Sequence, residues 1–304
     1  MVWGESGAHK PIYRGGMSEL AGWQGWDVDQ ARPWIAVPEA SADKYSRGVL
    51  GVRTGSSAYP GAAVLGVEAA MRTGLGMVRY LGPRRATNLV LQRRPEVVTA
   101  PGRVQAWLLG SGMDASQRSD ATLEALAAAL AAGVPVVCDA GALDLVTRHS
   151  GPTVITPHYR ELAVLLSGVT SGPASGVTPE AIAAHPAEWA GRAADLLGVT
   201  VLLKGTVTYV ASPGGTRLTV AGAPAWLATA GAGDVLGGIL GALFATHTAE
   251  LAADAEACAA LAATAALVHG LAAARSSAGG PIVALDVAEA LPATIAALLT
   301  RDPS

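Results

Sequence analysis

"LATAGAGDVLGGILGALF", residues 227–244, is the stretch whose reading decides the fold. It is apolar and rich in glycine, yet one aspartate, Asp234, stands where a long helix is expected to begin. Gly231 and Gly233 allow backbone N–H groups to converge without side-chain obstruction. A helix starting near Ala232 adds unpaired N–H donors and the positive end of its dipole. Together these form a cradle for a phosphate, or for negative charge that develops during a reaction. Asp234 then has two readings. In one it only complements the helix dipole. In the other it is a base beside an anion site, taking the proton from an attacking hydroxyl.

The rest of the chain is consistent with a single catalytic domain. It has 304 residues, 51% hydrophobic and 15% charged, so it is globular and long enough to bury a substantial core. A net charge of −3 and a pI near 6.1 imply no charge-driven attraction to nucleic acid or to an anionic membrane. The opening residues hold no apolar run of signal-peptide length. The longest uncharged run, residues 257–274, is mostly alanine and contains Thr264 and His269. It reads as a packed helix rather than a membrane span. Cys138 and Cys258 lie in apolar runs and read as buried free thiols in a reducing cytoplasm.

Residues 1–42 carry four tryptophans (Trp3, Trp23, Trp26, Trp34) and little periodicity. They are expected to form an irregular arm that docks on a neighbour. From residue 43 to 304 the pattern is regular. "RGVLGV", "GMVRYL", "AWLLG", "PVVCD", "TVITP" and "VTVLLK" read as buried strands. Helical stretches such as 61–73, 117–132 and 179–198 lie between them. This alternation predicts a mostly parallel sheet covered by helices on both faces. "VLLKG", "VTYVAS" and "TRLTVAG", separated by short breaks, predict antiparallel strands at one sheet edge. Long helices are expected over roughly 232–247, 251–275 and 286–299.

In open sheets of this type ligands bind beyond the carboxyl ends of the strands. Each strand here ends in glycine or a polar group: "RTGSSAYPGAA", "SGMD", Asp139, "HYRE" and "GTVT". Lys204 closes a strand and can meet phosphate oxygens, with Thr206 and Thr208 offering hydroxyls; alone it could equally be a surface lysine. His158 follows Pro157 at another strand end, and a lone histidine is more often structural. "LLGSGMD" lacks the third glycine of a dinucleotide fingerprint. The sequence has no phosphate loop ending in Gly-Lys-Ser/Thr, no cysteine–histidine metal spacing and no Gly-x-Ser-x-Gly elbow.

Taken in order, "YPGAAVLGVEAAMRTGLGMVRYLGP", "LLGSGMD", "VVCDAGALDLV", "ITPHYRELAVLL", "LLKGTVTYVAS" and "LATAGAGDVLGGILGALFA" resemble the ADP- or ATP-dependent NAD(P)H-hydrate dehydratases, a branch of the ribokinase-like fold. The resemblance implies a ribokinase-like three-layer α/β/α domain. It also implies repair of hydrated NADH or NADPH: a nucleotide's terminal phosphate converts the added hydroxyl into a leaving group, and elimination restores the cofactor. By the same resemblance Asp234 is the base and contacts substrate. Gly231 and Gly233 build the anion hole, and Gly233 also touches nucleotide. Lys204, Gly205, Thr206, Val207 and Thr208 form the nucleotide-binding stretch. Ala62, Gly112 and His158 contact the hydrated dinucleotide. ADP or ATP is the phosphoryl donor. Mg2+ is expected because phosphoryl transfer needs the phosphate charges neutralised, although no dedicated metal cage is visible.

The sequence departs from the family at Tyr159 and Arg160, which stand where Thr-Pro-His-Pro-Gly-Glu has proline and glycine. Either the backbone after His158 takes another path, or Arg160 contacts a substrate phosphate. About 40 residues precede the resemblance, too few for the epimerase domain that many relatives carry, so any epimerase is expected to be a separate protein. The tryptophan-rich arm and alanine-rich helices point to a homo-oligomer, with a tetramer among the expected forms. Two rival readings share the same residues: a ribokinase-like kinase of a pyrimidine or thiazole alcohol, and an inactive nucleotide-binding regulator.

Overall fold

A computed structural model describes residues 22–169 and 176–300. Nine strands form one sheet. In chain order they are β1 (Gln24–Gly25), β2 (Val49–Arg53), β3 (Met77–Tyr80), β4 (Ala106–Leu109), β5 (Val136–Cys138), β6 (Thr153–Ile155), β7 (Thr200–Leu203), β8 (Thr208–Ala211) and β9 (Arg217–Val220). Their spatial order is β1-β9-β8-β7-β6-β5-β4-β2-β3. Every pairing is parallel except β7 with β8 and β8 with β9, so β8 alone runs against the rest. The expected antiparallel strands are therefore present, and β1 lies outside them.

Alternation along the strands builds two cores. In β4, Ala106 and Leu108 face one layer, while Trp107 and Leu109 face the other. The first layer holds α2 (Pro60–Thr73), α3 (Arg84–Arg93), α8 (Ala232–Thr246), α10 (Ala257–Ser277) and α11 (Ala284–Thr300). The second holds α4 (Asp120–Leu130), a 3-10 stretch over Ala140–Arg148, α5 (Tyr159–Val169), α6 (Pro179–Ala184) and α7 (Pro186–Leu197). The sheet is thus covered on both faces, as near-continuous apolar strands require. Three helical expectations are adjusted. The stretch 251–275 divides into α9 (Thr248–Ala253) and α10, with residues 254–256 between them. Local chemistry sets the other two. The stretch 117–132 becomes helical only at Asp120, because the Ser119 hydroxyl accepts the Thr122 N–H at 3.2 Å and sets the start. The stretch 179–198 is split at His185, because Pro186 disfavours the helical conformation for the residue before it.

The glycines of α8 are explained by contact. A Cβ on Gly238 would sit 2.2 Å from the Gly66 carbonyl oxygen of α2, so the two helices cross with backbones touching. Interior glycines cost about 1 kcal/mol each in helix propensity. Here that cost is offset by close packing, which brings Gly66 of α2 against Asp234 and Gly238 of α8. α10 is the one helix, among the described residues, long and apolar enough to cross a membrane. Of its apolar window 78% is buried inside the domain, where it packs on α8, α11 and β9.

Two further features anchor the first layer. Glu68 of α2 is fully buried and faces three guanidiniums: Arg72 Nε at 2.6 Å, Arg94 Nε at 2.5 Å and Arg93 Nη2 at 3.2 Å. Arg93 also pairs with Glu289 of α11 at 2.5 Å, so α2, α3 and α11 are tied by one ion cluster. The part of the expected arm that is described, residues 22–42, lies on the chain's own domain. β1 pairs with β9, Trp26 Nε1 donates to Thr264 Oγ1 at 3.1 Å, and Trp23 meets the edge of Tyr209 at 5.3 Å. α1 (Val28–Ala31) follows, capped reciprocally by Asp27 and Gln30. Trp3 lies outside the described residues.

Candidate active site

The site lies where the carboxyl ends of β4, β5, β6 and β7 meet the first turn of α8. Gly231 occupies the left-handed region, with φ +87°, and precedes the helix. The Ala232 N–H donates to the Thr229 carbonyl at 3.3 Å, which leaves the N–H groups of Gly233 and Asp234 as the first-turn donors able to meet an anion; a side chain at Gly231 would strain this conformation. A Cβ on Gly231 would also meet Leu65 of α2 at 2.4 Å. Asp234, in the first helical turn, is half-buried. Its Oδ2 lies 3.8 Å from the Cβ position of Gly231, so the carboxylate borders the hole rather than turning away. A Cβ on Gly233 would sit 3.5 Å from Lys204 Nζ. Lysine, glycine turn and aspartate therefore share one seam.

Lys204 is held by two carboxylates, Asp139 at the end of β5 and Glu161 in the first turn of α5. Its Nζ donates to Asp139 Oδ1 at 3.1 Å and lies 3.7 Å from Glu161 Oε2. Asp139 is nearly fully buried and also accepts the Thr156 hydroxyl at 2.7 Å. Burial works against the Lys204 charge, but Asp139, Glu161 and Asp234 outweigh it and hold its pKa above the ordinary lysine value. Asp234 behaves in the opposite way. Burial, reinforced by Asp139 and opposed by Lys204, pushes its carboxyl up to about 7. A carboxylate with a pKa near neutrality can accept a proton with useful driving force.

His158 is placed by a reciprocal cap at the start of α5. Its N–H donates to Glu161 Oε2 at 2.8 Å, and the Glu161 N–H donates to His158 Nδ1 at 3.1 Å. The Lys204 N–H donates to the Pro157 carbonyl at 2.9 Å, so His158 and Lys204 stand on adjoining strand ends. The helix thus starts at Tyr159 without the proline and glycine of the family pattern. The Tyr159 hydroxyl fills the space over Gly205: a Cβ there would lie 2.4 Å from it. Arg160 is exposed. Ala62 and Gly112 come into direct contact, since a Cβ on Gly112 would lie 2.3 Å from the Ala62 Cβ.

One cleft opens from this seam, and a second lies beside the Ala62–Gly112 contact. The first, of about 440 Å³, is lined by Lys204, Gly205, Thr206, Thr208 and Gly233 at one end, and by apolar groups such as Leu227, Leu271 and Ala274 at the other. That polarity suits a nucleotide with its phosphates at the glycine turn. Val207 is half-buried between the lining threonines. The other cleft, of about 720 Å³, begins beside the Ala62–Gly112 contact and is lined by Gly55, Tyr59, Met113, Arg53 and Arg118. Among the described residues no group of three or more His, Cys, Asp or Glu side chains could hold a metal.

The sequence reading named no role for Asp139, Glu161, Arg53 or His269. Asp139 was visible as a carboxylate ending a strand, and Glu161 as the last residue of "TPHYRE". Their meeting at Lys204 depends on the order of β5, β6 and β7 in the sheet, which no local pattern encodes. His269 lies in the middle of α10 and lines the smaller cleft. Burial, with the nearby Lys204 charge, pushes its pKa down to about 4 against the Ala232 backbone, so it is neutral near pH 7.

A three-layer α/β/α domain with a glycine turn, a lysine and an acidic residue joined at the strand ends defines a ribokinase-like protein. Solved structures agree on the fold. An ADP/ATP-dependent NAD(P)H-hydrate dehydratase from Bacillus subtilis, co-crystallized with ATP/Mg2+, superposes with a TM-score of 0.77 at 24% identity. The match covers 91% of this chain and 99% of that one. The Carb_kinase family model, described as NAD(P)H-hydrate dehydratase, matches residues 50–291. The chain belongs to the NAD(P)H-hydrate dehydratase family.

It is 41% identical over 241 residues to the bifunctional NAD(P)H-hydrate repair enzyme Nnr of Mycobacterium tuberculosis, covering 75% of this chain and 47% of that protein. It is 34% identical over 216 residues to the ADP-dependent (S)-NAD(P)H-hydrate dehydratase of Neisseria meningitidis serogroup B, covering 65% of this chain and 69% of that protein. The chain spans about half the length of the bifunctional relatives it matches.

Proposed function

We propose that this protein dehydrates hydrated NADH or NADPH at the expense of ADP or ATP. The nucleotide occupies the smaller cleft, with its terminal phosphate at the glycine turn of Gly231 and Gly233 and beside Lys204. The hydrated ring lies between Asp234 and His158. Asp234 takes the proton of the added hydroxyl, whose oxygen then bonds to the terminal phosphorus as the bond to the nucleotide breaks. The phosphate ester formed departs as phosphate with loss of a ring proton, which restores the double bond; the net change in the dinucleotide is loss of water. Gly231 and Gly233 keep the donors clear of side chains while charge builds on the transferring group. Lys204, Gly205, Thr206, Val207 and Thr208 bind the nucleotide, and Ala62, Gly112 and His158 bind the substrate.

Magnesium fits the donor set. Asp139 and Glu161 are the hard oxygen donors at the phosphate end, and Mg2+ is commonly held by one or two carboxylates together with substrate phosphates. There it would neutralise phosphate charge. Cytoplasmic action fits the two buried free thiols.

The observation that carries this reading is the meeting of Lys204, the glycine turn and Asp234 beside the smaller cleft, with a larger second cleft next to the Ala62–Gly112 contact. A kinase for a small vitamin precursor needs only a small second pocket, whereas about 720 Å³ suits a dinucleotide. The test is a coupled assay in which hydrated NADH is offered with ADP and with ATP, with and without magnesium. Nucleotide-dependent return of dihydronicotinamide absorbance is expected. A stable phosphorylated alcohol accumulating from a thiazole or pyrimidine substrate would favour the kinase instead, and tight nucleotide binding without turnover would favour a regulator.

A further inference from the structure

The described residues hold five buried side-chain polar atoms without a hydrogen-bond partner: Arg53 Nε, Thr54 Oγ1, Ser111 Oγ, Arg118 Nε and His269 Nε2. Such atoms are rare, and each asks for a reason. Three of them line the two clefts. His269 lines the smaller cleft. Arg53 and Arg118 line the larger one. Thr54 and Ser111 are buried away from both linings, and the Ser111 hydroxyl faces Gly237 of α8.

The two arginines of the larger cleft are not equivalent. Arg118 has only 7% of its side chain exposed, and its charge is met: Nη1 donates to Asp144 Oδ1 at 2.9 Å and also to the Gly141 carbonyl. Arg53 has no carboxylate within ion-pair distance among the described residues. Its Nη1 donates to the Leu81 carbonyl at 3.0 Å, and its guanidinium carbon lies 5.7 Å from the centre of the Trp107 ring. Burial works against this charge and lowers its pKa. A partly buried cation held by a carbonyl and a ring face, with one donor unpartnered, lacks the counter-charge that such cations normally have. A bound anion would supply it. Guanidinium matches phosphate oxygens in charge and in planar geometry. The neighbouring hydroxyls of Ser56, Ser57, Ser119 and Thr122 suit a sugar phosphate.

We infer that Arg53 is a phosphate-binding residue for the dinucleotide substrate, contacting it beyond the Ala62–Gly112 contact and away from the reacting ring. The inference rests on the dehydratase reading and adds to it: the larger cleft takes the phosphate-bearing end of the hydrated dinucleotide. The phosphate concerned is either the pyrophosphate bridge or the ribose phosphate that distinguishes NADPH from NADH.

The test compares the wild type with Arg53→Met, which keeps the packing over Trp107, and with Arg53→Lys, which keeps the charge. Steady-state kinetics are measured with hydrated NADH, with hydrated NADPH and with ADP. Arg53→Met is expected to raise the dinucleotide KM by roughly tenfold or more, since charge-assisted contacts are among the stronger ones. The kcat and the KM for ADP should stay within about twofold, because neither phosphoryl transfer nor the nucleotide cleft involves Arg53. Arg53→Lys should recover part of the loss. Equal losses with both hydrates place the contact on the pyrophosphate, and a larger loss with hydrated NADPH places it on the ribose phosphate. The melting temperature of Arg53→Met should equal or exceed that of the wild type, because an uncompensated cation has been removed. An unchanged dinucleotide KM in Arg53→Met overturns the inference, as does loss of folded protein in both variants, which would make Arg53 a packing residue. A wild type inactive on both hydrates overturns the dehydratase reading instead. In that case, calorimetry with inorganic pyrophosphate on the wild type and Arg53→Met still decides whether Arg53 binds phosphate.

Discussion

Glu68 and Asp234 lie on adjacent helices, and their environments drive them in opposite directions. Glu68 is sealed among Arg72, Arg93 and Arg94. Burial alone would raise its pKa, but Arg94, Arg72 and Arg93 outweigh it and hold the carboxyl down at about 2. Asp234 is also removed from water, yet makes no direct ion pair among the described residues. Burial and the Asp139 carboxylate push it up to about 7, and Lys204 opposes them only in part. One carboxylate has its charge fully matched and ties three helices together. The other is left short of counter-charge at the edge of a cleft. Matched charge serves structure, and unmatched charge at an accessible place serves chemistry.

The largest effect that could break this contrast is on turnover. Asp234→Asn should fold and bind nucleotide but lose turnover by ~10²–10⁴, the usual cost of removing a general base. Near-wild-type turnover in that variant would remove Asp234 from the mechanism. The same variant carries a stability signature. The folded state of the wild type favours protonated Asp234, so the stability from that group is present below its unfolded pKa and is lost as pH rises through about 7. Asparagine does not titrate, so the melting temperature of Asp234→Asn should gain on the wild type between pH 5 and about pH 8.

Glu68→Gln should do the reverse. Removing the buried carboxylate that three partly exposed arginines share costs ~1–3 kcal/mol after solvent screening, or a melting temperature lower by several degrees. Activity per folded molecule should remain. Sign and window follow from the depressed pKa: stability from Glu68 is present above about pH 4.5 and lost as the pH falls toward about 2. A Glu68→Gln protein as stable as the wild type at pH 7, by thermal melts, would mean that the cluster is not holding the helices. The smallest effect is the pH profile. Wild-type kcat/KM should fall about tenfold between the plateau and one pH unit below the Asp234 pKa. A flat profile from pH 6 to about pH 8 would show that the group limiting turnover is not a carboxylate tuned to neutrality.

Much of the architecture was legible in the chain. Strand positions followed from apolar runs of four to six residues. The helix after Gly231 followed from the glycine turn with Asp234, and the alternation of the two predicted a doubly covered parallel sheet. Local signals of this type survive folding because they reflect backbone geometry and burial. Boundaries shifted where a single side chain intervened, as Ser119 and Pro186 did. The tryptophans of 22–42 gave no periodic signal, because their order comes from contacts with Thr264 and Tyr209, hundreds of residues away in sequence.

The sequence alone therefore determined the fold class and the glycine turn that places Asp234 at a helix start, since both rest on spacing within a few turns of chain. Tertiary structure alone decided that Asp139 and Glu161 close on Lys204, that Asp234 is tuned to neutrality, and that Arg53 faces a cleft without a counter-charge. Each of those depends on the electric field at one point, which sums charges and lost solvent from strands far apart in the chain.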